Sequence, residues 1–98
     1  FAPGRIFNSR VFPSGGAGMA GTAEDFLAFL EALRQGGAPV LGPAAMRLLT
    51  ENAIGPFEAQ QPGRGFSLGW SILVDPVANG SPLSAGSWGW GGIYGHQW

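Results

Sequence analysis

The chain has 98 residues, of which 45% are hydrophobic and only 11% charged, and five arginines against six acids leave a formal net charge of −1. That balance supplies no basic stripe for nucleic acid and no polybasic patch for lipid, and no apolar run reaches membrane-spanning length. Cysteine and lysine are both absent, so a disulfide framework, a thiolate site and a lysine general base within these residues are excluded, while the compartment (cytoplasmic or periplasmic) and the oligomeric state stay open.

A charged share this far below the usual value of about a quarter implies apolar faces covered by further chain. The sequence also starts at Phe1 and stops at Trp98 within an apolar run. It therefore reads as a piece of a larger domain, with a sheet too incomplete to fold stably alone. Residues 1–11 read as loop with a short extended piece, and residues 12–21 as a Gly-rich loop. Gly16, Gly18 and Gly21 match the dinucleotide spacing G-x-G-x-x-G, but that motif needs a preceding apolar strand, which Pro13-Ser14-Gly15 interrupts. The phosphate-loop pattern fails for want of its lysine.

Thr22 can cap a helix, Glu24 and Asp25 suit its positive end, and Phe26, Phe29, Leu30 and Leu33 repeat at helical spacing as a core face. Gly36-Gly37 ends it. A second helix starts with Pro43 at its first position and continues over 44–52, with Leu48 and Leu49 buried and Gly55-Pro56 beyond. Residues 58–65 form a polar loop. Residues 66–74 read as one strand with Phe66, Leu68, Trp70 and Ile72 on one face, broken by Asp75-Pro76. A turn-rich connection over 77–82 leads to a last strand from about Ser84. The order of helices followed by antiparallel strands gives an α+β fold class.

That last strand runs into Trp88-Gly89-Trp90-Gly91-Gly92-Ile93-Tyr94-Gly95-His96-Gln97-Trp98, which holds three of the four tryptophans. Gly92-Ile93-Tyr94-Gly95 reads as a hairpin connection, one strand ending near Gly91 and the next starting near His96. Glycines here weaken a strand unless something approaches its backbone closely, and aromatics beside a bare backbone suit the wall of a cleft. A Gly-rich hairpin with aromatic core residues is the plainer alternative. Side chains offer no complete catalytic set. His96 is the only imidazole, no serine sits in a nucleophile elbow, the metal-ligand supply is too thin for a metal site, and the acids are too dispersed for a glycosidase pair. What the ribbon can supply is main chain: an N–H donated to a developing oxyanion.

These blocks together carry a resemblance. Residues 12–26 with the following helix resemble the conserved block of the serine beta-lactamase-like superfamily, Pro43 to Thr50 its next helix, and Phe66-Ser67-Leu68-Gly69-Trp70 its "x-L-G-W" strand. The terminal ribbon is similar to the C-terminal motif of family VIII carboxylesterases, built on the class C beta-lactamase fold. The resemblance implies that residues 1–98 are the C-terminal portion of one beta-lactamase/DD-peptidase-like domain of a serine hydrolase acting through an acyl-enzyme, with no cofactor and no metal. It implies a small-molecule ester as substrate, with beta-lactams as a second class. The family's third motif falls on Trp90-Gly91-Gly92, and the oxyanion-hole amide on Ile93, with Trp88 and Tyr94 lining the pocket. Trp90 stands where a cationic Lys or His is found in beta-lactamases, which favours neutral esters. The Ser-x-x-Lys nucleophile and the Tyr-x-Asn base motif are absent, so this stretch alone is expected to be inactive. A penicillin-binding or D-aminopeptidase relative, and a non-catalytic module stacking ligands on Trp88, Trp90 and Tyr94, are the alternatives.

Overall fold

A computed structural model describes residues 3–16 and 18–98; the remainder of the N-terminal segment and of the Gly-rich loop lies outside the described residues. Where residues 1–11 read as loop with an extended piece, Pro3–Phe7 form a 3-10 helix instead. Helix α1 (Ala23–Arg34) begins at the expected cap: Thr22 Oγ1 accepts from the Asp25 amide at 3.1 Å. It ends where Gly36 and Gly37 turn to positive φ, +107° and +93°. At Gly37 any β-carbon would meet the Met46 side chain, so α2 (Pro43–Thr50) can close against the end of α1.

The expected single strand over 66–74 is instead a hairpin of β1 (Arg64–Phe66) and β2 (Ser71–Leu73), paired antiparallel with Phe66 opposite Ser71. Ser67 is the reason. Its hydroxyl accepts from the amides of Gly69 and Trp70, both at 3.1 Å, and its own amide donates to the Trp70 carbonyl at 2.9 Å. The side chain thus closes a turn that competes with an extended ladder, and it throws Leu68 into solvent. The turn-rich connection holds a short helix α3 (Pro76–Asn79), capped by Asp75, whose carboxylate accepts from the amides of Val77 and Ala78. β3 (Trp88–Gly89) starts later than expected and pairs antiparallel with β2, giving the sheet order β1-β2-β3.

Asn52 ties α2 to this sheet. Its Oδ1 accepts from the Phe66 amide at 3.1 Å, its Nδ2 donates to the Gly55 carbonyl at 2.8 Å, and the adjacent Ala53 amide donates to the Phe66 carbonyl at 2.7 Å. The core sits between the helix ends and the sheet: Leu33, Met46, Trp70 and Ile72, with Leu41, Leu49, Trp88 and Trp98 packed against them. Of the expected core residues, Phe26, Phe29, Leu30 and Leu48 are not in it, Leu30 being half-buried. Phe26, Phe29 and Leu48 are 43%, 39% and 54% exposed, since the helix faces that carry them meet little of this chain. The radius of gyration, 15.7 Å, exceeds the value of about 13 Å usual for a compact domain of this length. The architecture is α+β.

Candidate active site

Alternation decides what the ribbon offers. Trp90 exchanges two hydrogen bonds with Trp98, the Trp90 amide to the Trp98 carbonyl at 3.1 Å and the Trp98 amide to the Trp90 carbonyl at 3.0 Å. Two residues on, the Gly92 amide donates to the His96 carbonyl at 2.9 Å, with Gly91 opposite Gln97 between them. In such a ladder the intervening residues turn their amides to the other edge. The Ile93 amide has no hydrogen-bond partner among the described residues, and the Ile93 side chain is 94% exposed. The connection closes as expected, by a Gly95 amide donating to the Gly92 carbonyl at 2.9 Å with Gly95 at φ +84°.

Two of the ribbon's glycines are fixed by close approach. A β-carbon on Gly92 would overlap the His96 imidazole, and one on Gly89 would overlap the Trp98 carbonyl. His96 itself is exposed and lies across Gly92 as packing for the turn. The base of the ribbon is held by aromatic contacts. Trp70 stacks on Trp88 with centroids 4.6 Å apart, and Trp98 meets Trp70 and Trp88 edge-on at 5.7 and 6.1 Å. Phe26 of α1 adds a further edge contact to Trp98 at 5.8 Å. Offset and edge-to-face pairs of this kind each contribute about 0.5–1.5 kcal/mol beyond the area they bury. Among the described residues, the Trp70 indole N–H is buried with no partner.

A groove of about 520 Å³ runs along the sheet beside the ribbon. Trp88, Trp90 and Gly91 line it, and Trp90 is steered there by an edge contact with Phe66 at 5.0 Å. Gly92, Ile93 and Tyr94 fall at the hairpin tip instead, with Tyr94 75% exposed. Trp88 therefore serves twice, as one layer of the aromatic stack and as part of the groove wall. Sequence reasoning missed the polar half of that wall: Arg64, Ser71, Gln60, Gln61 and Gln97. The Gln-rich loop and Arg64 looked like solvated surface, and only the β1–β2 turn brings them over β3. Among the described residues no group of His, Asp or Glu could hold a metal ion, and no helix is long and apolar enough to cross a membrane.

Comparisons with known proteins agree in kind. No family model matches the chain. It is 46% identical over its whole length to Esterase EstB of Burkholderia gladioli, of which it covers 25%. It is 31% identical, over 89% of its length, to Protein Rv1367c of Mycobacterium tuberculosis (strain ATCC 25618 / H37Rv), again covering 25%. Among solved structures, EstCE1, "a hydrolase with promiscuous acyltransferase activity", superposes over 98% of this chain with a TM-score of 0.83 and 41% identity, the match covering 26% of that protein. The chain spans about a quarter of the length of each of these relatives.

Proposed function

We propose that this chain, 46% identical to Esterase EstB and 41% identical to EstCE1, is the counterpart of a C-terminal part of a family VIII carboxylesterase, within the serine beta-lactamase-like proteins, and that it supplies the third active-site motif of a serine esterase. The observation that carries this reading is the Ile93 amide, at the hairpin tip and without a hydrogen-bond partner among the described residues. A serine outside these residues attacks the ester carbonyl and a C–O bond forms, its hydroxyl proton passing to a general base that also lies outside them and later serves as the general acid, while the carbonyl π pair moves onto oxygen. Ile93 N–H, together with the serine's own amide, receives that oxyanion. Collapse expels the alcohol with a proton from the general acid and leaves an acyl-enzyme, which water hydrolyses to acid and free serine. Gly91 adds no side chain of its own to the approach, the His96 imidazole lies across Gly92, and Trp90 forms the wall where a cation would otherwise stand. Without that cation a beta-lactam carboxylate has no partner at the third motif, so neutral esters are the better substrates.

The test uses the full-length protein with short-chain p-nitrophenyl esters and nitrocefin. Ester hydrolysis well above nitrocefin turnover is expected, and activity on neither would end the proposal. Ile93→Pro deletes the donor and should lower kcat about 100- to 1000-fold, the usual effect of losing one oxyanion donor, whereas Ile93→Val should stay near wild type.

A further inference from the structure

The groove beside the ribbon contains a cation. Arg64, on β1, reaches along its face of the sheet to Ser71, Nη1 lying 3.4 Å from the serine Oγ. Register explains the direction: Phe66 stands opposite Ser71 and Ser71 opposite Gly89, so Arg64, two residues from Phe66, shares their face. Among the described residues Arg64 makes no ion pair; the salt bridge of this chain is Glu31–Arg34, on α1. No acid lines the groove, whose other polar groups are the serine and glutamine side chains already named. A half-buried guanidinium facing neutral donors and acceptors suits an anionic group of a ligand.

We propose that Arg64 is a specificity residue that binds a carboxylate carried at the far end of the substrate's acyl chain. This rests on the esterase reading above, and it sets the spacing of the two functional groups. From Gly89, beside Arg64 and Ser71, to Ile93 is four residues, at most ~13 Å along the ribbon. An acyl chain of about ten bonds covers that distance. The cation absent from the third motif is thus offset by one on a neighbouring strand, displaced so that long dicarboxylic monoesters fit and compact beta-lactams do not.

The experiment compares the full-length wild type with Arg64→Gln and Arg64→Lys on three p-nitrophenyl esters: the monoester of sebacic acid, the monoester of glutaric acid, and neutral decanoate. Arg64→Gln should lower kcat/KM for the sebacic monoester by roughly ten- to a hundredfold, the usual size of a lost charge-assisted hydrogen bond. The other two esters should change by no more than about twofold, and Arg64→Lys should retain part of the sebacic activity. Unaltered decanoate turnover serves as the control for folding. An equal fall on all three esters, or no fall on the sebacic monoester, would overturn the assignment of Arg64 and leave the esterase reading standing. If the wild type hydrolyses none of the three, both fall together.

Discussion

At the scale of single residues, the salt bridge between Glu31 and Arg34 shows how local geometry fixes a charge. Glu31 accepts from Arg34 at 2.6 and 2.7 Å and from Gln35 at 2.6 Å. The arginine hydrogen bonds first, and then Gln35, hold its carboxyl down at about 2 from the ordinary 4.5. A carboxyl whose folded value is depressed contributes stability that is present above its ordinary value and is lost as pH falls from about 4.5 through 2. The pair lies at the surface with both side chains in contact with solvent, so the contribution is small and screened by salt. Titrating ¹³C-labelled glutamate side chains in the full-length protein should place the Glu31 midpoint well below the ordinary 4.5, and Arg34→Gln should raise it, with the Gln35 hydrogen bond keeping part of the depression. Side-chain chemistry of this local kind was plain in the sequence: the Thr22 cap, Pro43 at a helix start and the Gly36-Gly37 stop stand where the pattern put them, whereas α2 ends at Thr50, short of the expected residue 52 and well before Gly55-Pro56. Arg64 was not, because its role depends on which strand passes in front of it.

Between elements, the least legible feature was the β1–β2 turn. Phe66, Leu68, Trp70 and Ile72 alternate as a strand should, and nothing in that alternation reveals that the Ser67 hydroxyl will satisfy two amides and fold the segment back. A period of two tells which residues share a face only while the chain stays extended. The Asn52 junction was equally silent, since it joins residues 14 apart in sequence. It is also where the α2–sheet contact is most exposed to mutation. Asn52→Ala leaves the Phe66 amide and the Gly55 carbonyl without partners and should cost about 1–2 kcal/mol, read as a lower denaturant midpoint at constant slope in the full-length protein. The Gly92–Gly95 connection, by contrast, was readable in outline, because paired glycines between aromatic runs leave few other conformations.

On the scale of the whole molecule, the apolar surface is the telling feature. Phe26, Leu27 and Phe29 stand out from α1 and Leu48 from α2, while among the described residues the buried apolar core is Leu33, Met46, Trp70, Ile72 and Leu73. The helical periodicity located the apolar faces correctly but not what covers them, and relatives four times as long supply the natural candidates for cover. The isolated 98-residue chain should accordingly melt without a cooperative transition and bind a hydrophobic dye at ambient temperature. A sharp calorimetric peak from the isolated chain would contradict this.

The tryptophan stack has a last consequence, an optical one. Indoles held at 4.6–6.1 Å share their electronic transitions, so the cluster at the ribbon's root should impose a paired-sign band on the ultraviolet circular dichroism. Trp88 and Trp98 flank the hairpin whose tip presents Ile93, and any slippage between its two arms would alter that band. The protein therefore carries an intrinsic chromophore pair that reports whether the arms are in register, legible without label or substrate.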